Sequence, residues 1–259
     1  MSSVLTDVAS EGRMSPLLLA NRNAAALWTA LAQVRGNEVV QRPGFVGVKG
    51  SERGGTRILL LGPDPDEDDL AALAELVRDR RDGKVVVEDQ FGTVDLGDLG
   101  LTSRRLPVMI RDAAPPGSAG GASSSPPAVE IVRADSESLL ETVERVVVHG
   151  FPLEGFLPWR PGEVFPRTML ERQDVEFFLV TRDGVPAGAC MVVLDGTVGG
   201  VYWVTTLPEH RSRGIGRMLM HAVLERLSGL PVTLTAATAG KPLYDSLGFD
   251  VITQATWWS

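Results

Sequence analysis

The stretch PEHRSRGIGRMLM, residues 208–220, places three arginines and two glycines directly before a segment with helical periodicity. Ile215 and Leu219 begin the apolar face of that segment. The first turn of a helix leaves backbone N–H groups unpaired and carries partial positive charge, so it suits an anion. Gly214 and Gly216 lack the Cβ atoms that would keep a pyrophosphate away from those groups. The stretch therefore predicts a phosphate-binding turn, with an ordinary surface loop as the alternative.

Two familiar phosphate-binding motifs do not match this stretch. A P-loop requires Lys followed by Ser or Thr, and the chain has Arg217 and Met218 there. The dinucleotide-binding fingerprint requires a third glycine where Leu219 stands. If the turn binds a phosphate, it therefore belongs to another class of phosphate site.

The amino-acid composition disfavours two further classes of function, nucleic-acid binding and membrane insertion. The 259 residues carry a net charge of −8, which makes nucleic acid an unfavourable partner. No apolar stretch approaches the roughly 20 residues that span a bilayer, and residues 1–13 lack the basic and apolar regions of a signal peptide. We expect a cytoplasmic protein that does not bind membranes.

The sequence gives no indication of a metal site. Cys190 is the only cysteine, so an intrachain disulfide and a cysteine-based zinc site are excluded, and its apolar neighbours predict an inert buried thiol. The acidic run 64–69 is interpreted as a solvated helix start, because it lacks the alternating ligands and turn glycine of a calcium loop.

A segment rich in Pro, Gly and Ser divides the chain. Residues 113–127 have nothing to bury and predict a flexible linker between a region 1–112 and a region 128–259. In the second region, Ser136 is a candidate helix cap, and the pairs Asp183-Gly184 and Asp195-Gly196 predict hairpin turns between three strands. Helices and strands alternate in both regions, which indicates an α/β chain with a mixed sheet.

Three pieces of the second region resemble the GNAT superfamily of acetyl-CoA-dependent N-acetyltransferases. Residues 211–216 match its Arg/Gln-x-x-Gly-x-Gly/Ala pattern, and residues 204–208 look like its fourth strand. Residues 243–249, LYDSLGF, are similar to its C-terminal Tyr-x-x-x-Gly-Phe signature. The pieces follow the family's order and spacing, and the resemblance extends over about 129–259.

The resemblance implies a role for each matching residue. Tyr244 would be the general acid that protonates the departing thiolate, which an ordinary tyrosine pKa near ~10 would suit. The alternative for Tyr244 is a core aromatic, and Tyr202 is the only other phenol. The residues implied for coenzyme binding are Val204, Thr205, Thr206, Arg211, Ser212, Arg213, Gly214, Ile215, Gly216, Arg217 and Thr238.

The chain departs from the family pattern at two positions. Several members carry a glutamate base on the fourth strand, where this chain has Gly200 or Val201. The base would come from elsewhere or be unnecessary for an amine that arrives neutral. Many members also have Asn or Ser where Ala237 stands, and the adjacent Thr238 could replace its hydrogen bond. The unranked candidates for a base are Glu154, Glu163 and Glu176.

The first region has a similar order of elements but no Arg-x-x-Gly-x-Gly segment. Its strand-to-helix turn, GPDPDEDD at 62–69, would repel a pyrophosphate. We therefore expect 1–112 to be a smaller, diverged GNAT-like domain that binds no coenzyme, and 128–259 to be the catalytic GNAT domain.

The resemblance implies that an acetyl or other acyl group moves from acetyl-CoA to a primary amine by direct attack, without a metal. A small-molecule acceptor is favoured over a peptide, and the excess of acidic residues in 128–259 mildly favours a cationic one. The alternatives are a catalytically inactive CoA-binding sensor or scaffold, and transfer to a peptide or protein amine.

Overall fold

A computed structural model of the chain describes residues 14–79, 84–114 and 129–259. Most of the predicted linker, and the segment considered for a signal peptide, lie outside the described residues. The helices are α1 (Pro16–Arg35), α2 (Glu67–Arg78), α3 (Glu137–Gly150), α4 (Ile215–Arg226) and α5 (Lys241–Asp245). The strands are β1 (Glu38–Gln41), β2 (Phe45–Lys49), β3 (Thr56–Leu60), β4 (Val85–Asp89), β5 (Ser103–Arg111), β6 (Val129–Arg133), β7 (Val175–Arg182), β8 (Val185–Leu194), β9 (Gly199–Thr206), β10 (Val232–Thr235) and β11 (Asp250–Trp258).

Local sequence signals account for most of these boundaries. Ser15, Asp66 and Ser136 cap α1, α2 and α3 through their side-chain oxygens, and Gly36 ends α1 in the left-handed conformation. β1 and β2 are separate strands because the chain reverses direction between them.

The eleven strands form one mixed sheet in the order β1-β2-β3-β4-β11-β5-β10-β9-β8-β7-β6. Both halves contain one pattern: three antiparallel strands (β1–β3 or β7–β9), then a helix that leads to a strand parallel to the third. β6 adds a fourth antiparallel strand at the edge of the second half. The α/β mixed-sheet expectation is therefore confirmed.

The last strand of each half lies in the other half of the sheet. β5 pairs with β10, β11 pairs with β4, and the two exchanged strands pair with each other at the centre. β11, the exchanged strand of the second half, is nine residues long. The division at 112 and 128 stays a sequence prediction, and each half completes the sheet of the other.

Two large apolar clusters cover the second half of the sheet on opposite faces. One cluster joins α4 and α5 to β7–β10 and includes Ile215 and Tyr244. The other joins α3 to α1 of the first half through Leu27, Leu31 and Val147. Since α1 packs on strands of the second half, the first half directly supports the site described next.

Candidate active site

A β-bulge interrupts β9 where it pairs with β8. Ala189 is opposite Thr205 and Met191 is opposite Tyr202, so β9 has one extra residue facing Cys190. Trp203, within the bulge, has a φ of +50°, which is uncommon for a bulky residue. A bulge leaves a residue unpaired and turns the strand.

β9 and β10 pair only over a short stretch and separate before β9 reaches the bulge. They pair in parallel only at Val232 with Gly199 and at Thr233 with Gly200. β10 then continues against β5, while β9 continues against β8. In the described part of the sheet, the edge of β9 that leads to Thr206 therefore faces an open cleft. Backbone groups on such an edge can bind an extended ligand.

The turn from β9 to α4 leaves a run of backbone N–H groups free. Gly214, the N-cap of α4, has a φ of +78° and gives no side-chain cap, and Ser212 has a φ of +58°. Among the described residues, no acceptor takes the N–H groups of 212–217. Six successive free N–H groups at a helix start form an anion-binding concavity.

The two glycine positions of the turn require glycine for different physical reasons. Gly214 has open space around it, and its left-handed backbone is what favours glycine. A Cβ on Gly216 would lie 3.4 Å from Leu243 and from the Thr206 hydroxyl, so glycine lets α4 pack closely on β9 and α5. Ile215 contributes its backbone to the turn while its side chain is buried in the core.

The arginines of the motif are held by protein groups. The Arg211 guanidinium donates to the carbonyls of Thr206 (3.2 Å) and Gly150 (3.4 Å), which fastens the turn to β9 and α3. Arg217 donates to the Ser246 hydroxyl at 2.8 Å. Both side chains and that of Arg213 are exposed, so positive charge surrounds the free N–H groups.

Tyr244 lies in the core cluster beside the cleft. Its ring contacts Phe249 edge-on, with centroids 5.9 Å apart, and it is 7% exposed. Burial raises the pKa of Tyr244 above its ordinary value, with a further contribution from Cys190, the residue opposite the bulge. The expectation of an unperturbed tyrosine pKa is therefore wrong: the phenol is a weaker acid that stays protonated at neutral pH.

Gly200, where the family glutamate would stand, has no room for a side chain. Tyr202 donates its hydroxyl proton to the Asn23 amide oxygen at 2.7 Å, and a Cβ on Gly200 would collide with both groups. Asn23, on α1, also donates to the carbonyls of Val193 and Val198. The carboxylate is absent because a helix from the first half occupies its space.

The three candidate bases have different surroundings. Glu176 is 6% exposed and binds Arg133 and Arg226, so it is an ion-pair residue. Glu154 is exposed on a short helical turn. Glu163 pairs with Arg53 and lines a cavity between the two halves. Thr238 is exposed in the turn before α5, and no hydrogen bond from it to a described residue is found.

That cavity has a volume of about 370 Å³ and was not predicted from the sequence. Its walls come from α1, the β2–β3 connection, the segment 153–166 and Trp203 of the bulge. Trp203 thus belongs both to the cleft strand and to the cavity. A pocket built from four distant segments leaves no local pattern in a sequence.

Further observations concern metals and membranes. The residues that the structure describes contain no cluster of three or more His, Cys, Asp or Glu side chains able to hold a metal ion. Within the described ranges, no helix has the length and apolarity needed to cross a membrane.

Comparison with known families identifies the second half. Residues 173–251, which span the bulged strand, the turn and α5, match the model described as "Acetyltransferase (GNAT) domain". The second half contains a GNAT domain. No curated protein sequence is significantly similar to the chain.

Solved structures share the fold of most of the chain. A "GCN5-related N-acetyltransferase from Kribbella flavida" is 21% identical, with a TM-score of 0.64 over 93% of this chain and 95% of its own. A "Putative Acetyltransferase from the GNAT family" of Novosphingobium aromaticivorans is 18% identical, with a TM-score of 0.58 over 95% and 97%. A "Tandem GNAT protein from the clavulanic acid biosynthesis pathway" is 14% identical, with a TM-score of 0.58 over 85% and 80%. The GNAT domain therefore lies within a larger fold that GNAT proteins share.

Proposed function

We propose that the protein transfers an acetyl group from acetyl-CoA to a primary amine, and that it does so in the cytoplasm. The observation that carries the proposal is the run of free N–H groups at 212–217, which follows directly on the open edge of β9. These groups would bind the pyrophosphate, and the backbone of Val204, Thr205 and Thr206 would bind the pantetheine arm. A buried, unreactive Cys190 is consistent with a reducing compartment.

In this proposal the amine attacks the thioester carbonyl directly. A C–N bond forms, the C–S bond breaks, and the departing thiolate takes a proton from the Tyr244 hydroxyl. Tyr244 then recovers a proton from solvent, and the proton lost by the amine also leaves to solvent. No covalent enzyme intermediate is needed, since Cys190, the only cysteine, is buried with a raised pKa.

We also propose that residues 1–112 are a diverged GNAT-like half without a coenzyme site. The repeated strand pattern and the fold shared with a tandem GNAT protein support this. The carboxylates of Asp66 and Asp69 support it as well, because they occupy the start of α2.

Isothermal titration of the full chain with acetyl-CoA tests both proposals. We expect one bound coenzyme per chain; a stoichiometry of two would contradict the inert first half, and no binding would contradict the function. The intact chain is required because an isolated 1–112 would lose the pairing of β4 with β11.

A pair of glycine substitutions locates the site. Gly214→Ala and Gly184→Ala impose the same backbone strain, since both glycines have φ near +75° and open surroundings. We expect Gly214→Ala to weaken acetyl-CoA binding about tenfold or more, with thermal stability lowered alike in both variants. Equal affinities in the two variants would remove the turn from the coenzyme site.

A further inference from the structure

The cavity between the two halves has the size and position of a small-molecule site. Its volume of about 370 Å³ is near the lower end of ligand pockets, which run from roughly 300 to 1,000 Å³. It reaches the bulge of β9 through Trp203, next to the strand proposed to hold the thioester. A small ligand in it would have one end beside that strand.

About half of the residues that line the cavity are apolar or aromatic, and the rest are glycine, polar or charged. Trp28 of α1 meets Trp203 edge-to-face with ring centroids 6.1 Å apart, and Phe165 packs on Trp203 at 5.4 Å. Phe156 and Leu31 extend the apolar surface, one from each half. Such a lining favours a ligand with an apolar, ring-containing body, because burial of apolar area drives its binding.

The aromatic faces already hold cations. The Arg57 guanidinium lies 4.4 Å from the centroid of the Trp28 ring, and Arg53 lies 5.8 Å from that of Phe156. These arginines occupy positions that a cationic ligand would otherwise take in a cation–π contact.

The nearby carboxylates are also engaged. Glu88 accepts a hydrogen bond from Arg57 at 3.0 Å, and Glu163 pairs with Arg53. Glu144 accepts from three backbone N–H groups of the segment 162–165. Arg35, the remaining charged group of the wall, donates to the Val164 carbonyl at 3.1 Å. Glu163, the carboxylate of the described wall, is thus already paired with an arginine through Oε2.

We infer that this cavity binds the amine acceptor, and that the acceptor is a small monoamine with an aromatic or apolar body rather than a polyamine or other polycation. The inference rests on the proposed function and names its substrate class. It narrows the cationic acceptor favoured by the acidic second half to one with a single amine. An apolar cavity also disfavours the ammonium form, so the bound amine would lose its proton without a carboxylate on β9.

Thiol-release kinetics with a matched pair of amines test the inference. We expect kcat/KM for 2-phenylethylamine to exceed that for spermidine at least tenfold. Phe156→Ala should raise KM for 2-phenylethylamine about tenfold and leave the acetyl-CoA Kd unchanged. Phe91→Ala, which truncates a half-buried phenylalanine outside the cavity, should change neither value. A preference for spermidine, or equal effects of the two variants, would overturn the inference.

A binding measurement separates this inference from the proposed function. Trp28 and Trp203 line the cavity, so 2-phenylethylamine should change the intrinsic tryptophan fluorescence, and Phe156→Ala should weaken that response. A fluorescence response without thiol release from any amine would reject the transferase and keep the cavity assignment. Thiol release with spermidine, without any response to 2-phenylethylamine in either assay, would keep the transferase and reject the cavity assignment.

The isosteric substitution Asn37→Asp adds a carboxylate to the cavity wall without changing its volume. If the pairing of Glu163 with Arg53 is what leaves a polyamine without a carboxylate partner, the variant should raise kcat/KM for spermidine several-fold relative to 2-phenylethylamine. An unchanged ratio would contradict the electrostatic part of the argument.

Discussion

The two halves place a helix at the same point of the same strand pattern, and the starts of those helices differ. At the third helical position α2 has Asp69, which is 2% exposed and binds Arg42 and the Gly44 N–H, whereas α4 has the exposed Arg217. Asp66 caps α2 with a carboxylate, and Gly214 leaves α4 uncapped. An anion can bind only where the protein has not already supplied one.

The strands beside these helices differ in the same sense. β3 and β4 pair at four successive positions, and no register shift interrupts β2 and β3. β9 and β10 pair at two positions and then separate, beside a bulge. The first half is therefore closed by its own hydrogen bonds where the second half is open. The two halves therefore share a topology but differ where the second half has its candidate site.

Only the second half has a phenol in the segment that precedes its last strand, and its removal should give the largest effect. We expect Tyr244→Phe to lower kcat about 10²–10³-fold, the usual contribution of one proton-transfer group, with the acetyl-CoA Kd unchanged. Because burial raises the pKa of Tyr244, the wild-type rate should not fall from loss of this proton up to about pH 10.

Tyr202→Phe is the matched control for that prediction. Tyr202 is the other tyrosine of the chain, and its hydroxyl is engaged with Asn23. Steady-state thiol release should stay within a few-fold of wild type in this variant. Equal losses of kcat in the two variants would exclude Tyr244 as the acid.

The second-largest effect should come from a substitution that places an acidic residue at the start of α4, as α2 already has. Arg217→Asp places a carboxylate beside the free N–H groups and should weaken acetyl-CoA about 10²-fold by calorimetry. Two unit charges about 4 Å apart at a protein surface interact with an energy of roughly 4 kcal/mol. Replacing an attractive charge with a repulsive one can therefore produce this loss of affinity. The melting temperature should hold or rise slightly, because an acid in the first turn stabilises a helix.

Two further variants separate local charge from net charge. Arg217→Gln removes the positive charge alone and should weaken binding by about tenfold. His221→Asp adds an acid one turn further along the same exposed face of α4 and should leave the affinity near wild type. An Arg217→Asp affinity equal to wild type would mean that the start of α4 does not bind the phosphates.

Removing the polar contact between the halves should mainly affect stability. Asn23→Ala removes the partner of the Tyr202 hydroxyl and a donor to the carbonyls of Val193 and Val198, of which the second keeps the Asp195 N–H. Buried groups left unpaired cost about 1–3 kcal/mol each, so we expect a total loss of about 3 kcal/mol. That loss corresponds to roughly 6–12 °C in melting temperature for a chain of this size.

A double-mutant cycle with Tyr202→Phe tests the assignment of that loss. The two substitutions should be less than additive, because each removes one member of the same hydrogen bond. Full additivity, or an Asn23→Ala variant as stable as wild type, would mean that the hydrogen bond between Asn23 and Tyr202 does not stabilise the protein.

The sequence predicts the parts of this molecule that depend on neighbouring residues. The cap at Ser136, the turn at Asp183-Gly184 and the glycine turn before α4 are all local signals, and each has the expected backbone. The interpretation of the acidic run at 64–69 as a helix start is confirmed by α2, which Asp66 caps. The solvated character expected of the run was wrong for Asp69, which is buried against Arg42.

The features that the sequence could not predict depend on distant partners. Nothing in residues 251–259 indicates that β11 pairs with β4 of the first half. The alternation of residues in a strand predicts the strand but not the strand with which it pairs. The contact of Asn23 with Tyr202 joins residues 179 positions apart. The cavity joins α1 to the segment 153–166 in the same way.

The smallest expected effect concerns the ion pair that joins α1 to the turn between β8 and β9. Burial of Asp195 would raise its pKa, but hydrogen bonds from Thr197, Val198 and Arg22 outweigh burial and lower it. A depressed carboxyl pKa contributes stability that is present above the ordinary value of 3.8 and disappears as pH falls through the lower folded value. Asp195→Asn should therefore lower the melting temperature by about 2–4 °C at pH 7, for a loss of about 1 kcal/mol. The difference should shrink steadily below about pH 4, as scanning calorimetry can follow. A difference that stays constant down to pH 3 would show that the turn is held by its geometry rather than by the charge.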